Sequence, residues 1–165
     1  MRRSPNFFFL LLSPPTAVIE YVAYLKRLVE KKIGHSFESL HSIAHLTLLQ
    51  YHDFHNESLL YVFNERISKI SSFTVYVKDF GIFINNGTVY LNAFALELDD
   101  LVKQLADRSI RPHITIAKNL SPRDANLAWS MLQNFRYADS FKCECVTVLK
   151  RISDRWQPHL NLPLA

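Results

Sequence analysis

One four-residue pattern occurs twice in this chain, as HLTL at residues 45–48 and as HITI at residues 113–116. Each copy reads histidine, aliphatic residue, threonine, aliphatic residue. From the residue frequencies, about 0.02 such tetrapeptides are expected by chance in a chain of this composition. Because side chains alternate between the two faces of a β-strand, each copy places its histidine and threonine on one face and its aliphatic residues on the other. The repeat therefore predicts two half-buried strands, each presenting an imidazole and a hydroxyl.

Polar pairs of this kind are costly to bury, so they indicate a solvated groove. A buried structural histidine is the alternative for either copy alone, but the duplication favours function. Two imidazoles in one groove can act together, one accepting a proton from a nucleophile and the other protonating a leaving oxygen. The hydroxyls of Thr47 and Thr115 can donate hydrogen bonds to phosphate oxygens. We therefore predict that His45, His113, Thr47 and Thr115 catalyse phosphoryl transfer without a metal or other cofactor.

The remaining sequence predicts an α+β fold with mixed or antiparallel sheets covered by helices. Apolar runs and alternations predict strands at residues 6–12, 44–51, 73–77, 83–84, 89–94, 113–117, 141–151 and 156–162. Apolar residues at helical spacing predict four helices: from Thr16 to a stop at Gly34, over residues 57–70 with a cap at Asn56, through residues 98–105, and after the cap Ser121 with Pro122. The dipeptide Asn86-Gly87 predicts a tight hairpin turn.

The length of 165 residues and the 48% hydrophobic content fit a single domain over residues 1–165. A formal charge of +4 is compatible with a phosphate-bearing partner without requiring one. The longest apolar run, residues 7–12, is far shorter than the roughly 20 residues that cross a bilayer. No signal-peptide cleavage site follows it. We expect a cytoplasmic monomer with no membrane association.

Two cysteines, Cys143 and Cys145, lie two residues apart in the predicted strand 141–151 and would share one of its faces. This spacing does not suit a disulfide, which is consistent with reduced thiols in the cytoplasm. No second cysteine pair stands at the spacing of a zinc site, so metal binding by this pair is a weak alternative.

Other histidines offer a competing site. His41 lies four residues before His45, and His52 and His55 follow the same strand, so a metal site can be drawn from them. We disfavour it because His41 precedes a strand, where four-residue helical spacing has no meaning. His35 and His159 belong to no motif and are expected at the surface.

The motif residues resemble the 2H phosphoesterases, a family named for two His-x-Thr/Ser-x motifs, and in particular its 2′-5′ RNA ligase and cyclic phosphodiesterase branch. The resemblance extends to residues 80–83, 89–91, 111–117 and 156–162, and so covers nearly the whole chain in order. It implies a two-lobed, pseudo-twofold fold whose sheets form a cleft, with one motif from each lobe. It also implies that His45 and His113 are the acid and the base, with roles that exchange between the forward and reverse reactions, and that Thr47 and Thr115 hold the phosphate.

The residues five places after each motif histidine often line the site in this family, which implies substrate-binding roles for Gln50 and Lys118. Lys118 keeps the positive charge that many relatives supply with arginine, without the bidentate guanidinium. A solvated surface lysine is the alternative. Phe83 and Tyr90 are candidates to stack a base or ribose, with core packing as the alternative for both.

The leading hypothesis is an enzyme that hydrolyses or forms a 2′,3′-cyclic phosphate or a 2′-5′ phosphodiester on an RNA end or a small nucleotide, without metal. The first alternative is a binding module that holds such an RNA terminus or nucleotide without turnover. The second is a metal-dependent hydrolase built on the loop histidines.

Overall fold

The computed structural model describes residues 7–50, 56–106 and 110–165. Within these ranges the chain forms eight strands and four α-helices. In chain order they are β1 (Phe8–Leu12), α1 (Thr16–Ile33), β2 (Leu46–Leu49), α2 (Leu59–Ile67), β3 (Phe73–Phe83), β4 (Thr88–Phe94), α3 (Leu96–Ala106), β5 (His113–Ala117), α4 (Pro122–Leu132), β6 (Ala138–Cys143), β7 (Cys145–Ile152) and β8 (Arg155–Pro163).

The strands form one antiparallel sheet in the order β6-β3-β4-β5-β2-β1-β7-β8. The β5–β2 contact joins two four-stranded halves, and it consists of one pair of partners, Leu46 opposite Ile114. The expected sheets of the two lobes are therefore continuous through this contact. The α+β fold and its pseudo-twofold strand arrangement are confirmed, and the two motif strands lie at its centre.

The helices cover the sheet face that carries the aliphatic residues of the repeat. Those side chains are fully buried in one core with the apolar faces of all four helices: Leu46, Leu48, Ile114 and Ile116. Helix α1 follows β1 in one half but packs on α4 and β5 of the other, while α3 packs on α2 and β2. The crossing helices give a physical basis for a single domain over residues 1–165, which stays a prediction.

Helix boundaries follow the local sequence signals. Helix α1 ends at Gly34, whose φ of +87° suits glycine and whose N–H donates to the Glu30 carbonyl. At the start of α4, the Ser121 hydroxyl accepts a hydrogen bond from the Asp124 N–H at 3.1 Å, as predicted. Helix α2 is shorter than the predicted 57–70 at both ends: Asn56 caps a turn before it by accepting from the Ser58 N–H, and residues 68–70 form a turn after it.

The predicted strands 73–77 and 83–84 belong to one strand, β3, which ends at Phe83 and leaves Ile84 in the turn. The strand is interrupted by an irregularity at which Asp79 has a φ of +55°. A short 3₁₀ turn and then Gly87, at a φ of +61°, connect β3 to β4, so the predicted turn is confirmed in place. A Cβ on Gly87 would lie 2.1 Å from the Leu120 carbonyl oxygen. This close approach restricts the position to glycine.

The predicted continuous strand 141–151 is wrong. The chain leaves β6, at one edge of the sheet beside β3, and passes through Glu144 into β7, which pairs with β1 in the other half. Cys143 and Cys145 therefore lie in different strands rather than on one face, and both are free thiols. Neither glycine nor proline marks the crossing, so the alternating pattern continues through it.

Some predicted features lie outside the described residues: the first residue of the strand 6–12, Tyr51 at the end of 44–51, and the loop histidines His52 and His55. Within the described ranges, no helix combines the length and the apolar character needed to cross a membrane.

Candidate functional site

The sheet brings the two copies of the repeat together. Strands β2 and β5 are neighbours, and the register that sets Leu46 opposite Ile114 aligns the two motifs at the centre of the sheet. The motif histidines and threonines are all partly exposed, and they lie on the face opposite the helices: His45, Thr47, His113 and Thr115. The structure thus assembles the four predicted catalytic residues on one open face.

Both histidines are held by the same hydrogen bond. The Nδ1 of His45 lies 2.8 Å from the carbonyl oxygen of Ile43, and the Nδ1 of His113 lies 2.8 Å from that of Arg111. A carbonyl only accepts, so each Nδ1 carries a hydrogen and donates. Each neutral ring therefore has its lone pair on Nε2, the nitrogen available for proton transfer.

The pKa of each histidine is below its ordinary value. Burial is the main cause for both, because it disfavours the charged imidazolium, while the hydrogen bond to the carbonyl partly offsets it. The positive charges of Lys26 and Lys118, and that of His113 when it is protonated, lower the pKa of His45 further, and that of Arg111 does so for His113. The lowered pKa values favour the neutral form of both rings, and a bound phosphate would favour protonation of one.

Aromatic rings pack around His113. Its ring lies 5.1 Å from those of Phe83 and Tyr90, the first in an edge-on arrangement. Tyr90 is 1% exposed and its ring covers Gly81, where a Cβ would approach the tyrosine ring to 2.5 Å. This burial favours the packing alternative for Tyr90, since the ring has no open face for a base. Phe83 is partly exposed, with the Arg111 guanidinium 5.3 Å from its ring centre.

One aromatic residue beside His45, and a second that packs on the first, were not singled out in the sequence. The ring of Phe9, on β1, lies edge-on to His45 at 5.4 Å and 5.6 Å from the ring of Trp156 on β8. Phe9 had a signal in the sequence, because it occupies the predicted first strand. Its position next to His45 depends on the pairing of β1 with β2, which no local pattern reports.

The two residues five places after the histidines differ in setting. Gln50 is exposed directly after β2. The ammonium of Lys118 forms an ion pair with Glu38 at 2.9 Å, and the side-chain amide of Asn119 also donates to this carboxylate. Although Lys118 follows the second motif, its charge acts on His45 of the first. Lys118 thus contributes positive charge to the site while Glu38 holds its side chain.

Sequence reasoning missed Lys26, which is 2% exposed on the buried face of α1. Its ammonium donates hydrogen bonds to the carbonyls of Ser39 and Ser42 and to the Ser42 hydroxyl, at 2.6, 2.7 and 2.8 Å. Burial, aided by the charge of Lys118, lowers the pKa of Lys26 to about 8. Lys26 thereby anchors the loop that leads into His45. In the sequence, Lys26 is recognisable as a charged residue between Leu25 and Val29 on an otherwise apolar helical face.

The remaining described histidines lie apart from the motifs. His35 contacts Asp124 at 3.0 Å and His159 lies 3.4 Å from Glu57, while His41 is exposed before β2. Across residues 7–50, 56–106 and 110–165, no three His, Cys, Asp or Glu side chains are grouped as metal ligands. The competing cluster through His52 and His55 falls partly outside these ranges.

Comparisons with known proteins agree with this geometry. The model of the 2′-5′ RNA ligase superfamily matches residues 14–155. A structure of Escherichia coli LigT complexed with 3′-AMP superposes with a TM-score of 0.72 at 18% identity, covering 98% of this chain and 99% of the other. The protein TT0787 of Thermus thermophilus gives 0.71 at 16% identity, covering 95% and 97%. At these identities the structural matches show the fold alone. Among curated proteins, none matched the sequence.

Proposed function

This chain belongs to the 2′-5′ RNA ligase superfamily, as its motifs indicated, and we propose that it is a two-histidine phosphoesterase. Its substrate is a 2′,3′-cyclic phosphate or a 2′-5′ phosphodiester on an RNA end or a nucleotide. The catalytic residues in this proposal are His45, His113, Thr47 and Thr115.

One observation carries the proposal: two histidines from the two halves of the sheet share one open face, and each has its Nδ1 bonded to a backbone carbonyl. A binding site needs hydrogen-bond donors, but it does not need two matched rings with Nε2 free for proton transfer. Acid–base catalysis needs such a pair. The arrangement therefore supports turnover over binding alone.

For hydrolysis of a cyclic phosphate, one neutral histidine removes a proton from water as the water oxygen bonds to phosphorus. The other histidine, protonated, donates its proton to the ribose oxygen as the bond between that oxygen and phosphorus breaks. The product is a phosphomonoester, and exchange of protons with solvent restores both rings. In ligation, a ribose 5′-hydroxyl replaces water and a 2′-5′ phosphodiester forms. No group besides the two histidines needs to move a proton.

The neighbouring residues have supporting roles in this proposal. The partly exposed hydroxyls of Thr47 and Thr115 donate to the non-bridging phosphate oxygens, whose negative charge increases in the transition state. Lys118 adds positive charge, while Gln50 and Phe83 contact the ribose or base. Tyr90 instead is a buried residue whose tilted ring packs against that of His113.

A structure of E. coli LigT contains 3′-AMP and another contains ATP, which supports a nucleotide-bearing substrate for this fold.

The cellular setting is part of the same proposal. We propose that the protein acts in the cytoplasm, where the thiols of Cys143 and Cys145 stay reduced. We propose that it acts as a monomer, since the motifs of both halves come from one chain.

The test is a turnover assay in the presence of a chelator. The substrates are oligonucleotides ending in a 2′,3′-cyclic phosphate, oligonucleotides with one 2′-5′ linkage, and cyclic mononucleotides. The control is the His45→Ala/His113→Ala double variant, purified in parallel, which reports contaminating nuclease. We expect chelator-resistant turnover of at least one class by the wild type and none by the double variant.

Two other results would overturn the proposal. Tight, salt-sensitive binding with all substrate recovered intact would identify a binding module. Activity that the chelator abolishes and added divalent metal restores would identify a metal-dependent hydrolase.

A further inference from the structure

A stacked aromatic pair is exposed on the sheet beyond the catalytic residues. Tyr76 on β3 and Phe94 on β4 are directly opposite each other in the register, with ring centres 5.2 Å apart and planes 22° from parallel. The two side chains are 48% and 56% exposed. Such an exposed pair needs a reason, because aromatic side chains contribute most to stability when buried.

The pair lies on the same face as the second motif. Asn92 is opposite His113, and Phe94 is two residues further along β4, which returns it to the same face. The step from Asn92 to Phe94 is about 7 Å along the strand, and Tyr76 is about 5 Å further across the sheet. The aromatic pair is therefore continuous with the open face of the candidate site.

The charges around the pair suit a phosphate backbone. Lys78 and Lys142 occupy exposed positions on this face of β3 and β6, although Lys142 also contacts Glu144 at 3.2 Å. Arg111 is exposed two residues before β5, and its guanidinium lies 5.3 Å from the centre of the Phe83 ring, which contacts His113. The positions of β3 and β6 that share this face carry no acidic residue: Thr74, Lys78, Ala138, Ser140 and Lys142.

We propose that Tyr76 and Phe94 form a stacking platform for a base of a single-stranded RNA whose terminal phosphate lies between His45 and His113. This inference rests on the proposed function and narrows its substrate to an oligonucleotide. Aromatic platforms combined with cationic flanks hold single strands largely without regard to sequence. The platform thus favours RNA ends over cyclic mononucleotides, because the single base of a mononucleotide is held at Phe83 beside His113 and no further base is left to stack on the pair.

The test compares two substrates that share one reacting group: a cyclic mononucleotide and an oligonucleotide ending in the same 2′,3′-cyclic phosphate. For Tyr76→Ala/Phe94→Ala, we expect kcat/KM on the oligonucleotide to fall about tenfold more than on the mononucleotide. The loss should lie mainly in KM. Tyr76→Phe should retain the preference, since it keeps the ring.

Tyr61→Ala is the matched control, because Tyr61 is 78% exposed on α2, which packs against the other face of the sheet. It should leave the ratio of the two kcat/KM values at the wild-type level. Circular dichroism and a urea melt of each variant show that a change in the ratio does not come from unfolding. Equal losses on both substrates, or no loss on either, would overturn the platform.

A binding measurement distinguishes failure of the platform from failure of the proposed function. Fluorescence anisotropy measures the affinity of an oligonucleotide ending in a 3′-phosphate, which needs no turnover. Weaker binding by Tyr76→Ala/Phe94→Ala, in a protein without turnover on any substrate, would retain the platform and overturn the enzyme. Unchanged affinity would overturn the platform. A wild-type dimer that these substitutions dissociate would also overturn it, because a second copy would then cover the pair.

Discussion

At the level of single residues, the two motif histidines make the same kinds of contact. His45 and His113 donate from Nδ1 to the carbonyl two residues earlier at the same distance, and each has an aromatic ring edge-on at about 5 Å. The neighbouring charges differ, since Lys26 and Lys118 act on His45, and His113 does so only when protonated, whereas Arg111 acts on His113. Similar geometry with unequal charge is a means of separating an acid from a base.

The threonines provide a prediction at this scale. Thr47→Val and Thr115→Val keep the shape of the side chain but remove the proposed donor to the phosphate. Because a hydrogen bond to a charged group contributes about 1.5–3 kcal/mol, we expect kcat/KM to fall about 10- to 150-fold in each variant. Serine at the same position should restore most of the activity. Steady-state kinetics that show wild-type rates for the valine variants would remove the threonines from the site.

A second prediction concerns Lys26. Its charge disfavours the imidazolium of His45, so Lys26→Met should raise the pKa of His45 and leave that of His113 unchanged. Proton NMR titration of the imidazole signals measures both values. The two proteins should be compared at pH values below 8, where Lys26 is charged, because burial lowers the pKa of Lys26 to about 8. Lys32→Met, at an exposed position of α1, is the control. An unchanged titration of His45 would contradict the coupling.

At the scale of elements, local signals determined most boundaries and missed one crossing. Gly34, Ser121 and Gly87 mark ends that the structure confirms, because each position needs a specific backbone conformation or cap. The passage from β6 to β7 at Glu144 needs neither. Which strand a segment pairs with depends on distant partners, so the alternation of side chains alone could not place this break.

The turn between β3 and β4 allows a test of how much stability depends on glycine at position 87. Gly87→Ala adds a Cβ at a positive φ and against the Leu120 carbonyl, whereas Gly34→Ala adds one at a positive φ in open space. We expect Gly34→Ala to lower the free energy of unfolding by about 1 kcal/mol and Gly87→Ala by about 2–4 kcal/mol. Urea denaturation measures both. Equal losses would show that the contact with Leu120 carries no cost.

Across the whole molecule, α1 packs on α4 and β5 and α3 packs on α2 and β2, so the helices link the two halves through one common core. The sheet itself joins the halves at Leu46 and Ile114. The shared face of His45, Thr47, His113 and Thr115 could be predicted because each motif carries its own periodicity, and the catalytic role of these residues stays a prediction. Lys26 and the pair Tyr76–Phe94 could not, because their positions depend on which helix or strand packs beside them. Local patterns report the face of an element but not its neighbour.

The lowered histidine pKa values also make stability depend on pH. The unfolded chain binds more protons at His45 and His113 than the folded chain does, so stability should decrease as the pH falls below about 6.5. The His45→Gln/His113→Gln variant should lose less free energy of unfolding between pH 7 and pH 5 than the wild type. His35, whose pKa is raised, is present in both proteins and cancels. Parallel urea melts give the difference, and identical losses would contradict the burial of the two rings.

The most direct test of the two-histidine mechanism is the single-turnover rate on an oligonucleotide ending in a 2′,3′-cyclic phosphate, measured in chelator for His45→Ala and His113→Ala separately. We expect each substitution to lower the rate by about 10²- to 10⁴-fold. The double variant should lose little more, because the two rings act as a unit. A folded single variant that keeps a rate close to that of the wild type would contradict the pairing of these histidines as acid and base.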